Sequence, residues 1–128
     1  MRIVDFLWAG PDPALVDLVH RNGALACWQV GSVAEAQAAA DAGCDAIAVQ
    51  GTEAGGHIRG QVPLLPLLES VPGQLDLPVL ASGGIGSGRA FADILNSGAA
   101  DARVGTRFVA TDVTVDEAAK IAGRGPVV

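Results

Sequence analysis

The chain has no tyrosine, three phenylalanines, two tryptophans and one methionine among 128 residues. A core built on aromatic rings is therefore excluded. The 50% of the chain that is hydrophobic has to pack as Ala, Val, Leu and Ile. Basic residues are scarce too: eight Lys and Arg against fourteen Asp and Glu give a formal net charge of −6. Nucleic acid needs clustered positive charge and is not an expected partner. Cys27 and Cys44 form no CxxC, and no Cys/His cluster has metal-ligand spacing. No metal site is expected, and both thiols read as buried and reduced in a cytoplasmic protein. No apolar run reaches membrane-spanning length. The opening "MRIVDFLWAG" carries Asp5 inside its apolar run, unlike a signal peptide.

What is present is repetition. "RNGALACWQV", "DAGCDAIAVQ" and "NSGAADARVG" each hold a glycine at the third position: Gly23, Gly43 and Gly98. Each glycine follows an amphipathic segment and precedes a short apolar run, the pattern of helix, glycine cap and strand. Residues 12–22 place Leu15, Leu18 and Val19 on one face, with Pro13 near the start. Residues 32–42 begin with Ser32 and carry Glu35 three later, a capping-box pattern. Residues 87–97 align Phe91, Ile94 and Leu95. A shorter helix is expected within 62–71, where Pro63 and Pro66 confine it. Strands are expected near 2–8, 24–30, 45–49, 78–82 and 101–105. Their continuous apolar character suits strands covered on both faces. The alternation predicts an α/β domain over residues 1–128, with right-handed βαβ units and a parallel sheet. Five units fit an open flavodoxin-like sheet or part of a (β/α)8 barrel, and periodicity does not separate the two.

Glycine-rich loops follow the last three strands: "QGTEAGGH", "ASGGIGSGRA" and "VGTRF". In parallel α/β folds the carboxyl ends of the strands carry the site. "SGGIGSGRA" leaves a strand and enters a helix at Ser87, where free N–H groups and the helix dipole favour an anion, phosphate above all. No "GxxxxGK[ST]" is present, which argues against a nucleoside triphosphate loop.

"VQGTEAGGH", "PVLASGGIGSGRAFADILNSGAA" and "VGTRFVATD" closely resemble nitronate monooxygenases, FMN-dependent (β/α)8-barrel enzymes. The resemblance runs to about Asp112, and the tail "VTVDEAAKIAGRGPVV" departs from it. It implies a partial TIM barrel in which the five strands are about the last five of eight. The first three units have no counterpart here, so open sheet edges and self-association are expected. It also implies FMN contacts at Gln50, Gly55, Gly56, Ser82, Gly83, Gly84, Arg103, Val104, Gly105 and Thr106. His57 would be the base toward a nitroalkane or nitronate, with dioxygen as co-substrate. An unperturbed histidine titrates near pH ~6.5, which suits that task. His20, in the last turn of a helix, reads as structural.

Several residues keep two readings. Gln50 offers a donor and an acceptor to a flavin edge. Flavin-dependent enoyl-ACP reductases share "EAGGHIG" and "GTRFV" but tend to hold Glu at this place. Glu53 either orients His57 or caps the loop. Arg59 stands where "GGHIG" has glycine, which implies altered access for substrate. Arg107 either touches phosphate or pairs at the surface, and Arg103 puts a charge where an uncharged residue is expected. A non-catalytic half-barrel is the alternative of a different class.

Overall fold

The computed structural model describes residues 1–71, 73–105 and 107. Five strands alternate with four helices: β1 (Ile3–Phe6), α1 (Pro13–Arg21), β2 (Leu25–Val30), α2 (Val33–Asp41), β3 (Ala46–Gln50), α3 (Leu64–Ser70), β4 (Val79–Ser82), α4 (Gly88–Asn96) and β5 (Asp101–Arg103). Every pairing is parallel, and the strand order is β1-β2-β3-β4-β5. That order decides between the two folds. A flavodoxin-like sheet reverses direction at a switch point and has helices on both faces. Here the strands follow sequentially, and one face of each packs against the helices.

The core lies between that face and the helices. Ala26, Trp28 and Val30 of β2, Ile47 and Val49 of β3, and Val79 and Ala81 of β4 meet Val16 and Val19 of α1, Ala36 and Ala39 of α2, Leu64, Leu67 and Leu68 of α3, and Ile94 of α4. Trp28 is fully buried. It stacks on Phe6 with ring centroids 4.2 Å apart and donates from its indole Nε1 to the Ala9 carbonyl at 3.3 Å. The alternate residues, among them Asp5, Cys27, Gln29, Gln50, Ser82 and Arg103, face the other way.

That inner face is concave. Four spacings of a flat sheet would put β1 and β5 roughly 19 Å apart. Yet the Arg103 guanidinium on β5 meets the Asp5 carboxylate on β1 at 2.7 Å and Gln29 Oε1 on β2 at 3.3 Å. The register shows how. Asp5 lies level with Cys27 and Ala46, whereas Arg103 lies level with Ser82 and Gln50, four residues further along β3. Such stagger comes from tilted strands in a closing barrel. The fold is five consecutive units of a (β/α)8 barrel.

The capping signals hold, but the expected apolar face of α1 does not: α1 buries Val16 and Val19 and leaves Leu15 and Leu18 exposed. Gly23, Gly43 and Gly98 end their helices at φ 69°, 90° and 100°, the left-handed region where a Cβ is costly. Asp12 and Ser87 cap α1 and α4, accepting from Ala14 N at 2.8 Å and Ala90 N at 3.2 Å. The capping box of α2 forms only in half. Ser32 accepts from Glu35 N at 3.2 Å, but the Glu35 carboxylate accepts from Gly31 N at 2.7 Å instead of from the cap's own N–H. Arg59 draws it there. The helix expected within 62–71 is α3, with Pro63 at its cap position. β1 and β5 are shorter than expected. The tail after Asp112 lies outside the described residues.

Cys27 and Cys44 are buried and free. Burial, with Asp5 adding to it, pushes the Cys27 thiol up to about 11, so it stays protonated and inert at neutral pH. Among the described residues no group of three His, Cys, Asp or Glu is placed to hold a metal ion. No described helix is long and apolar enough to cross a membrane.

Asp45 ties the first two units together. Its carboxylate is 2.8 Å from Ala26 N and 2.8 Å from His20 Nε2, so His20 is structural, as its place at the end of α1 suggested. Desolvation raises the Asp45 pKa, but the bonds from Ala26 and His20 outweigh it and hold it below the ordinary 3.8. The folded chain then binds this proton less readily than the unfolded chain. The contribution is complete above the ordinary value and fades as pH falls through the lowered one. Asp45→Asn is therefore expected to shift the acid-denaturation profile, measured by circular dichroism, and to flatten its limb below pH 3.8.

Candidate functional site

All the glycine-rich loops gather at the carboxyl ends of the strands, around a cleft of about 780 Å³. His57, Gln50, Gly55, Ser82, Gly83, Gly84, Arg103, Val104 and Gly105 all border it, although they span 56 positions of sequence, from 50 to 105. Gly56 turns the loop beside them at φ 76°. Thr106 lies outside the described residues.

Gln50 ends β3 and is buried. Its Nε2 donates to the His57 carbonyl at 3.0 Å, and its Oε1 accepts from Arg59 N at 2.8 Å. Both ends of the amide therefore pin the loop that carries the histidine. One N–H is left over for a ligand. The His57 ring is exposed and meets the Trp8 ring edge-on, with centroids 5.2 Å apart.

Glu53 does not orient His57. Its Oε2 accepts from Leu64 N at 3.0 Å and so caps α3, whose own cap residue, Pro63, has no side-chain acceptor. Arg59 is turned inward, with its side chain 12% exposed. Its Nε and a terminal nitrogen meet the two Glu35 oxygens, each at 3.0 Å. The guanidinium also donates to the Ala9 carbonyl at 2.6 Å and the Leu7 carbonyl at 3.3 Å. Desolvation raises the Glu35 pKa, but the bonds from Arg59 and Gly31 hold it below 4.5. Glu35 is thus an anion at neutral pH. Arg59 acts as a latch joining the loops after β1, β2 and β3.

The anion cradle is the loop after β4. Gly83 and Gly84 stand at φ 120° and 67°. Among the described residues, the N–H groups of Gly84, Ile85 and Gly86 donate to no backbone acceptor. Those of Gly88 and Arg89 open α4 beside them. Arg107 Nε donates to the Gly86 carbonyl at 3.1 Å, which sets a cation at the same rim. Gly105 borders the cleft just past the end of β5, and among the described residues nothing lies within 4 Å of a Cβ added there. Donor N–H groups, a helix N-terminus, a cation and open glycine backbone fit the phosphate of a mononucleotide. The Arg103 side chain is engaged with Asp5 and Gln29 across the sheet. What β5 offers the cradle is therefore main chain. Sequence reasoning missed Trp8, Asp5 and Gln29. None of the three had a signal, since Trp8 fell inside the strand expected at 2–8 and only the end of β1 at Phe6 puts it in a loop.

A concave, sequentially ordered parallel sheet whose glycine-rich loops gather at its carboxyl ends places the chain in the (β/α)-barrel class. The nitronate monooxygenase family model matches residues 1–123, and the chain belongs to that family. A relative from Rhodococcus jostii is 38% identical over 121 residues, which is 94% of this chain and 34% of the relative. It is a (3aS,4S,5R,7aS)-5-hydroxy-7a-methyl-1-oxo-octahydro-1H-indene-4-carboxyl-CoA dehydrogenase. The nitroalkane oxidase of Streptomyces ansochromogenes superposes with a TM-score of 0.80 at 36% identity, over 87% of this chain and 35% of that one. FabK from Thermotoga maritima superposes equally well, with a TM-score of 0.80 at 35% identity over 87% and 35%. The chain spans about a third of the length of the curated relatives it matches.

Gly84 is a poor probe of the cradle. A Cβ there would meet Glu53 Cβ at 2.8 Å, and φ is left-handed, so any substitution disturbs the loop itself. Among the described residues, a side chain at Gly105 meets no neighbour within 4 Å of its Cβ, so Gly105→Val is the better probe. It is expected to weaken FMN binding at least tenfold in a fluorescence titration, with an unchanged urea midpoint. Unchanged FMN affinity would remove Gly105 from the site.

Proposed function

We propose that this chain supplies the phosphate cradle and the catalytic base of an FMN-dependent enzyme that oxidises nitroalkanes or alkyl nitronates with dioxygen. The observation that carries the reading is an exposed histidine, its backbone fixed by Gln50, in the same cleft as the donor-rich loop after β4. FMN, when bound, supplies the electron acceptor and the reaction with dioxygen.

The chain's own residues bind, orient and move one proton. The loop from Gly83 to Gly86, with Gly105 and Arg107, holds the phosphate. Gln50 sets the height of the His57 loop. A neutral His57 imidazole takes the proton from the carbon bearing the nitro group. The C–H electron pair moves into the C=N bond of the nitronate, and the charge passes to the nitro oxygens. The imidazolium returns its proton to water, to which the ring is exposed. Because the relatives are about three times as long, the chain alone is expected to bind FMN more weakly than a complete barrel does. Its two sheet edges, β1 and β5, are expected to pair with another copy. Sedimentation should find self-association, and a strict monomer would count against that pairing.

A second reading is favoured by the apolar rim of the cleft, where Leu7 and Trp8 stand exposed, and by the likeness to FabK and to the indene-carboxyl-CoA dehydrogenase. It is redox chemistry on an acyl thioester. NAD(P)H consumption with an enoyl thioester supports that reading. Turnover of a nitroalkane without nicotinamide supports the first.

His57→Asn tests the base. Asn keeps the size but accepts no proton, and the expected loss of activity on a neutral nitroalkane is about 10² to 10⁴-fold. Preformed nitronate, already deprotonated at carbon, should lose much less, and FMN content should hold. Equal losses on both forms would mean that His57 orients substrate and is not the base.

A further inference from the structure

Trp8 presents a contradiction in physical terms. The residue is 61% exposed, yet the backbone on both sides of it is held by hydrogen bonds. Arg59 donates to the carbonyls on both sides of it, Leu7 and Ala9, and the buried Trp28 indole donates to Ala9 as well. Ala9 stands at φ 61°, a left-handed conformation that a residue with a Cβ rarely adopts. Strain of this kind persists only where the surroundings impose it, and it clusters at functional sites. Scattered exposed apolar side chains are ordinary. An exposed indole fixed by a half-buried ion pair and a strained turn, with its ring against the His57 imidazole, is not.

We propose that Trp8, continued by Leu7, is the wall of a substrate subsite that receives the apolar substituent on the carbon from which His57 takes a proton. The inference rests on the nitroalkane reading for its choice of probe. The geometry selects the chemistry. Ring centroids 5.2 Å apart and edge-on put the two rings in contact, so a carbon held at the imidazole sits beside the indole as well. Whatever that carbon carries therefore lies along the indole. Leu7, 46% exposed, extends the same apolar surface along the cleft, and no carboxylate or guanidinium bonds to either side chain among the described residues. An alkyl chain or alicyclic ring gains from such a wall, and a small or charged substituent does not. Trp8 is thus a specificity-determining residue, and Arg59 is the positioning residue behind it.

The test is equilibrium dialysis of the full chain against ethyl-, butyl- and hexylnitronate. Affinity is expected to rise with length, by up to about fourfold per added methylene. Trp8→Ala should remove at least half of each increment. Trp8→Phe should keep most of it, and Leu15→Ala, on the exposed side of α1, should keep all of it. The unfolding midpoint of Trp8→Ala should stay at the parent value, because the side chain is exposed. A length series that survives Trp8→Ala overturns the proposal. So does an equal proportional loss for all three probes, or the absence of saturable binding by any of them. The two readings fail separately. A Trp8-dependent length series without nitroalkane turnover keeps the subsite and removes the nitronate reading. Turnover with a series indifferent to Trp8 does the reverse.

Discussion

The arrangement of the site depends on one ion pair. Arg59 and Glu35 meet through two hydrogen bonds, and the same carboxylate accepts from Gly31 while the same guanidinium donates to Leu7 and Ala9. Charge-assisted, bidentate pairs of this kind are strong and directional. Desolvation acts against each partner, and the surrounding bonds offset it because almost every polar atom is matched. Three loops from three strands are joined at one point. The chain achieves there what a longer protein could achieve by packing. Close approach of backbone makes it feasible: a Cβ on Gly31 would lie 2.6 Å from Gly60, so both positions require glycine.

Much of the fold was legible because its signals are local. A helix ends where a left-handed glycine follows it, and Gly23, Gly43 and Gly98 do this three times. The N-cap at Ser32 stands where the capping-box pattern put it, and Ser87 opens α4 where the helix start was expected. The ends of the edge strands were less legible. β1 stops at Phe6, short of residue 8, because the next carbonyl, that of Leu7, is taken by Arg59. The choice between an open doubly wound sheet and a barrel was not a local matter at all. It rests on which strands are neighbours, and family resemblance carried it until the strand order did.

The site divides along the same line. The histidine and the glycine loops were singled out because the residue types suggest their chemistry, and the fold brings them to one cleft. The roles of Gln50, Glu53 and Arg59 were not found, because each is set by a partner distant in sequence. Arg59 reaches residues 50 and 52 positions away, and Glu53 caps a helix 11 positions on. Trp8 reads as part of an apolar strand until its loop is seen turning over His57. Arg103 stands out in the sequence as a misplaced charge, but nothing there names its partner on the far strand.

The Asp5–Arg103 bridge gives the curvature of the sheet an electrical component. Both side chains are about a third exposed, at 36% and 32%, so ions in solution screen the attraction that draws β5 toward β1. An exposed pair of this kind biases a conformation without locking it. Salt therefore weakens the electrostatic part of that curvature and leaves the part set by the stagger of the strands as it is.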